Sequence, residues 1–329
     1  VSPVGRLVST GALPDPDDVQ ALLQAAYDDY RVIRDGEVAD YIPALASASP
    51  DAFGAAIAGV AGRVFEVGDT TTEFSIQSVS KPFVFALVCQ AIGSDEARDK
   101  LGVNSTGLPF NSVMAIELGE DRTMNPMVNA GAIATTSLVP GDSGLAKWQF
   151  VLDGLSAFAG RPLTMDRGVY ESESANNLRN QGIAHLLESY ERLYFDPDIA
   201  TDVYTMQCSV LVNARDLAVM GATLADGGVN PLSGVRVIDE DHCTRVLAVL
   251  ATAGLYERSG AWLYDTGLPG KSGVSGGIVT VAPGKGGVGT WSPPLDEAGN
   301  SVRGQALVRR LSEDLGLNLF ASRPYSSEG

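Results

Sequence analysis

FSIQSVSKPFVF, residues 74–85, holds a serine and a lysine three positions apart, Ser78 and Lys81, where a strand-like run turns helix-like. On a helix, residues three apart share a face, so the lysine amine can stand beside the serine hydroxyl. Pro82 bears on where that helix starts. Proline breaks an internal backbone hydrogen bond but is harmless in the first turn, so the helix is expected to begin near Val79, with Ser78 at or just before its N-terminus. Free N–H groups and the positive end of the helix dipole there favour negative charge on a reacting oxygen. This is the layout of an S-x-x-K nucleophile, in which a desolvated lysine activates serine. Two fixed residues equally suit a capping serine beside a surface lysine, so the motif needs support from the rest of the chain.

Outward from this stretch, strand signals lie toward both ends and helical ones fill the middle. FGAAIAGVAGRVFEVGD (53–69) reads as two short strands around a glycine turn. GGIVTVAP (276–283) and GGVGTWSP (286–293) read as two more, joined by PGKG. Val19, Leu22, Leu23, Ala26, Tyr27 and Tyr30 follow an amphipathic helical rhythm, with Asp15 or Asp17 as cap. From Ser78 to about Asn230 the pattern is helical. Trp148, Val151, Leu152 and Leu155 form one apolar stripe; Leu217, Met220 and Leu224 form another, stopped by Gly227-Gly228. Val246, Leu247 and Leu250 mark a helix ending at Gly254, and a last helix spans about 302–315. The order implies an α+β fold: an antiparallel sheet built from both chain ends, helices packed on it, and an inserted helical subdomain. The expected division is one unit over 1–329, with a sheet subdomain at approximately 1–80 and 231–329 and a helical subdomain at approximately 81–230.

Composition narrows the function. The 329 residues, 45% hydrophobic, suit a globular chain with a substantial core. A net charge of -17 opposes binding to nucleic acid or to an anionic membrane surface. No apolar run approaches the roughly 20 residues that span a bilayer. The opening VSPVGRLVSTGALPDPDD lacks the basic-then-apolar pattern of an export signal, so a cytoplasmic protein is expected. Cys89, Cys208 and Cys243 are far apart in apolar surroundings, and no C-x-x-C occurs. His185 and His242 are 57 positions apart in helix-like segments. Neither a disulfide framework nor a metal site is expected, and no cofactor. A Ser-His-Asp triad would have to use one of those two histidines, neither of which has a glycine-rich, site-like context.

A second motif, Lys271-Ser272-Gly273 in PGKSGVSGGIVTV, opens a predicted strand about 190 residues after Lys81. Serine-acylating enzymes of the penicillin-recognising kind carry K-T-G or K-S-G at such a strand, whose backbone gives a donor to the oxyanion. Together FSIQSVSK, NPMVNAGAI (125–133), ESESANNLRN (171–180) and KSGVSGGI (271–278) resemble the serine-dependent glutaminases. These are amidohydrolases that share the fold of serine β-lactamases and DD-peptidases. The resemblance runs from about Pro14 to Phe320, and the penicillin enzymes' middle motif, SxN or YxN, has no clear counterpart.

The resemblance implies the site. Ser78 would be the nucleophile, Lys81 its activating partner, and Tyr256 a phenol relaying a proton to the leaving ammonia. The backbone N–H groups of Val274 and Ser78 would form the oxyanion hole. Asn129, Glu173, Asn180 and Tyr204 would bind the amino-acid end of glutamine, with Tyr41 closing the pocket. The reaction implied is L-glutamine to L-glutamate and ammonia, without a cofactor, in a homo-oligomer (dimer or tetramer). The residue chemistry agrees: a carboxylate suits the α-ammonium, and amides with a phenol suit the α-carboxylate. Glu173 and Asn180 are seven apart, so a shared helix would put both on one face. From the residues alone, two alternatives stay open: another serine acyl enzyme of this fold (a β-lactamase or peptidase), or an inactive amino-acid-binding module.

Overall fold

The computed structural model describes residues 13–322, apart from positions 41, 106, 110, 120 and 121. Seven strands occur among the described residues. They are β1 Gly54–Gly59, β2 Val64–Gly68, β3 Phe74–Ser75, β4 Leu211–Val212, β5 Gly270–Ser272, β6 Gly277–Ala282 and β7 Gly286–Trp291. The main sheet has the order β2-β1-β7-β6-β5, with every neighbouring pair antiparallel. Its central contact, β1 against β7, joins the two ends of the chain, as the distribution of strand signals implied.

Helices cover both faces. The helix Pro16–Tyr30, capped by the Asp15 carboxylate, packs with the helix Val302–Asp314 over one face. Leu23, Ile57, Ile278, Leu307 and Leu311 belong to the apolar cluster between them. On the other face the helix Ala214–Ala225 lies almost on the backbone of β7. A Cβ at Gly287 would stand 2.3 Å from the Ala218 carbonyl oxygen, and one at Gly289 would stand 2.1 Å from that of Ala214. The glycines of GGVGTW are what allow this approach.

The nucleophile stretch is the pivot between sheet and helices. Phe74–Ser75, in the strand-like run, is β3, paired with β4 in a two-stranded sheet; the pattern around Leu211 gave no strand signal. Gln77–Ser80 then forms one 3₁₀ turn, and the α-helix Lys81–Ile92 follows with Pro82 in its first turn. Lys81 to Cys89 are all buried, which explains why KPFVFALVC is apolar around the whole helix apart from Lys81. Helices Asn129–Leu138, Gly144–Ala159 and Glu240–Ala253 surround it.

Three expectations need correcting. The stretch from Ser78 to Asn230 is not uniformly helical: the described residues of 102–113 and 119–128 are irregular, with only the short helix Met114–Leu118 between them. Glu173 and Asn180 do not share a helix. One helix ends at Ser174 and the next starts at Leu178, because the Asn176 side chain turns back on the Ser172 carbonyl (3.0 Å) while Asn177 reaches Thr205 Oγ1 (3.1 Å). Asparagine side chains compete in this way with the helical backbone. Finally, Lys271-Ser272 does not open the strand GGIVTVAP. The two residues belong to β5, a separate edge strand that turns at Gly273–Gly276 into β6. Gly276 has φ +94°, which suits glycine and few other residues.

Candidate active site

A cleft of about 210 Å³ opens where the 3₁₀ turn, the 273–276 turn and the helices of the middle segment meet. Ser78, Asn129, Glu173, Asn180, Tyr204 and Val274 all line it. The sequence reading had therefore selected residues that the fold brings together from six separate segments. Tyr41 lies outside the described residues; its neighbour Ile42 lines the cleft.

Ser78 and Lys81 are joined by one turn, the Lys81 backbone N–H donating to the Ser78 carbonyl. In 3₁₀ geometry, side chains three apart eclipse, so the two side chains leave the turn on the same side. Lys81 is 1% exposed. Its Nζ donates to Asn129 Oδ1 at 2.8 Å and to the Met127 carbonyl at 3.4 Å. Burial accordingly pulls its pKa down from 10.5 to about 8, so that a useful fraction of the amine is neutral near neutrality.

Tyr256 completes this end of the site. Its hydroxyl hydrogen-bonds the Ser78 side chain and donates to the Ser272 carbonyl at 3.3 Å. Burial raises the phenol to about pKa 12, so it stays a proton donor across the working range. Lys271 packs its Nζ 4.2 Å from the centre of the Tyr256 ring and donates to the same Ser272 carbonyl at 2.8 Å. Lys271 is fully buried, and burial, helped by the nearby charge of Lys81, holds its pKa well below the ordinary value.

The other end is polar and anionic. Asn129 ties the cleft together: its Oδ1 accepts from Lys81 and from Tyr204 Oη (3.4 Å), and its Nδ2 donates to Asn180 Oδ1 at 3.0 Å. Glu173 is pushed up by burial, opposed by the hydrogen bond from Gln77 Nε2 to its Oε1 at 2.5 Å. A partly buried carboxylate held this way is a receptor for a cation.

Gln77 was not singled out from the sequence, although it lies inside FSIQSVSK. Its Nε2 also donates to Ser75 Oγ (3.2 Å), and its backbone has φ +51°. Tyr256 has φ +54°. For residues other than glycine such conformations cost about 1–2 kcal/mol, and they concentrate at functional sites. Cys208 also corrects an expectation. It is buried, but it lines the cleft and hydrogen-bonds Tyr204, and burial followed by the Glu173 charge raises it to about pKa 12. The histidines lie elsewhere: His242 bonds Ser94 at 2.6 Å, and the exposed His185 sits by Glu188 and Asp198. Among the described residues, no group of three or more His, Cys, Asp or Glu is placed to hold a metal ion.

The family model "Glutaminase" matches residues 36–320. A protein named "Glutaminase 2" from Yersinia pestis is 59% identical over 321 residues, 98% of this chain and 94% of that one. Among solved structures, a probable glutaminase, ybaS, superposes with a TM-score of 0.93 at 45% identity, covering 94% of this chain and all of the other. A second, Mglu in its L-glutamate-binding form in 4.3 M NaCl, gives a TM-score of 0.86 at 41% identity, covering 94% and 68%.

Proposed function

The chain belongs to the glutaminase family, hydrolases of the side-chain amide of L-glutamine, and we propose that it works through a γ-glutamyl ester on Ser78. Its fold is that of the bacterial glutaminases, the serine β-lactamase type. The observation that carries the mechanism is the cleft itself. It is lined by Ser78, one turn before the desolvated Lys81, whose amine donates to the lining residue Asn129, and by the partly buried carboxylate of Glu173 among amides.

In this reading Glu173 takes the α-ammonium of glutamine, while Asn180, Asn129 and Tyr204 take its α-carboxylate. Tyr41, Ser78, Tyr256 and Val274 also face the bound substrate. The neutral amine of Lys81 accepts the Ser78 hydroxyl proton as Oγ attacks the side-chain carbonyl carbon. Negative charge passes to the former carbonyl oxygen, which the backbone N–H groups of Ser78 and Val274 stabilise. Tyr256 protonates the departing nitrogen, the C–N bond breaks, ammonia leaves, and the phenol recovers its proton from Lys81. Water then attacks the ester. It gives a proton to Lys81, and Ser78 is released protonated with L-glutamate as product. Microscopically this is one acid–base relay used twice.

The reading includes one catalytic unit over 1–329, its sheet and helical subdomains divided near 80 and 230, acting in the cytoplasm as a homo-oligomer. Three free, buried cysteines fit a reducing compartment. No described helix is long and apolar enough to cross a membrane. The discriminating assay is ammonia release from glutamine and asparagine beside a penicillin-labelling control. Turnover of glutamine without penicillin labelling supports this reading, and labelling of Ser78 by penicillin without glutamine turnover supports the β-lactamase or peptidase alternative.

A further inference from the structure

Behind Tyr256 the chain makes a closed turn, residues 296–301, that the chemistry above does not use. Asp296 Oδ1 accepts the backbone N–H groups of Ala298 and Asn300, both at 3.0 Å, and the Asp296 N–H donates to the Asn300 carbonyl at 2.8 Å. Asp296 Oδ2 accepts from Gln305 Nε2 at 3.0 Å, and Ser301 Oγ donates to the Ser292 carbonyl at 2.8 Å. The turn is thereby fixed to the helix Val302–Asp314 and to the residue that follows β7. Its tip lies against the site: a Cβ on Gly299 would stand 3.7 Å from Val274 Cγ1 and 3.9 Å from Tyr256 Cε2.

Asn300 links this turn to the reacting groups. Asn300 and Ser272 are both fully buried, and the Ser272 hydroxyl donates to Asn300 Oδ1 at 2.6 Å. The carbonyl of the same Ser272 accepts from the Tyr256 hydroxyl at 3.3 Å and from Lys271 Nζ at 2.8 Å. At 3.3 Å the first of these is longer than an ordinary O–H···O bond, so it orients the phenol without competing strongly for its proton. The rest of the Asn300 amide is not there for stability. Its Nδ2 is buried and has no hydrogen-bond partner among the described residues. A buried donor left unpaired destabilises a fold, whereas replacing both members of such a pair by apolar groups is often close to neutral.

We propose that Asn300 is a positioning residue for the proton donor Tyr256, acting through Ser272. The Ser272–Asn300 bond fixes the end of β5, and with it the carbonyl that aims the phenol. The proposal rests on the acyl-enzyme reading, in which Tyr256 protonates the departing nitrogen as the C–N bond breaks. That step sets the expected signature. An amide nitrogen cannot leave without gaining a proton, whereas a thiolate can leave as the anion.

The test compares kcat/KM for L-glutamine and for the γ-methyl thioester of L-glutamate, in the full chain and its variants. Asn300→Ala loses about tenfold or more with glutamine and less than about threefold with the thioester, since only the amide depends on the aimed acid. Ser272→Ala removes the same bond from its other side and shows the same split. The double variant is no worse with glutamine than the poorer single one, because both changes break one link. Equal losses for the two substrates, or losses that add in the double variant, would overturn the proposal. Should Asn300→Ala not fold, the Ser272→Ala comparison still decides. A wild type that hydrolyses glutamine without an acyl group on Ser78 would instead overturn the mechanism beneath it, and the proposal with it.

Discussion

Lys81→Met should yield an enzyme that is inactive yet more stable than the wild type at pH 7. The folded-state pKa of Lys81 is about 8 against 10.5 for the free side chain, and the residue is 1% exposed, so no allowance for solvent screening applies. At about 1.36 kcal/mol per unit, holding the charged amine in this site costs the fold about 3 kcal/mol. The sign follows from proton counting. Between pH 8 and 10.5 the unfolded chain binds more protons than the folded one, so stability rises with pH across that window. The cost is present in full below pH 8 and gone above 10.5. Methionine removes the titration but also loses the bonds to Asn129 and Met127, worth about 1 kcal/mol each. The variant should therefore gain about 1–2 kcal/mol at pH 7, and the gain should shrink or reverse by pH 10. Urea unfolding of both proteins at the two pH values measures it. A variant less stable at pH 7, or a difference that does not move with pH, would show that the amine is not desolvated and that the proposed base is not poised to act.

Glu173→Gln keeps the shape of the carboxylate and removes its charge. It should cost on the order of 2–5 kcal/mol in kcat/KM for glutamine and little for the des-amino analogue; equal losses for the two would make Glu173 structural. The rate should climb with pH through about 8 as Lys81 loses its proton, with no descending limb from Tyr256 below about pH 12. Activity already maximal at pH 5 would exclude an amine base. Four of the five lysines, Lys81, Lys147, Lys271 and Lys285, are buried, leaving arginines and Lys100 to face a surface with net charge -17. Screening should relieve that self-repulsion, so the melting temperature should hold or rise as NaCl is added; a steady fall would count against it.

Much of the fold was legible because burial imposes periodicity. The stripes Val151/Leu155 and Leu217/Met220/Leu224 fell on helices, Gly227-Gly228 lay just past the second, and Gly254 capped the helix of Val246 and Leu250. What stayed hidden depends on contacts between distant segments. β3 and β4 are two residues each and exist only because Phe74–Ser75 meets Leu211–Val212. The break between Glu173 and Asn180 rests on side-chain bonds to Ser172 and Thr205, which spacing cannot report. Residues with a chemical signature, Ser78 with Lys81 and Glu173, could be chosen in advance. Gln77 could not, since only its reach to Glu173 and its positive φ distinguish it. Cys208 resembled a core cysteine until the packing set it beside Tyr204 in the cleft.

The central claim is a covalent glutamyl–serine intermediate, and acid-quenched mass spectrometry during turnover of glutamine tests it most directly. The predicted result is one glutamyl group added to the peptide carrying Ser78 in the wild type. Ser78→Ala, folded because the Ser78 hydroxyl caps no helix, should carry none and release no ammonia. An adduct on another residue, or near-normal turnover by Ser78→Ala, would contradict it.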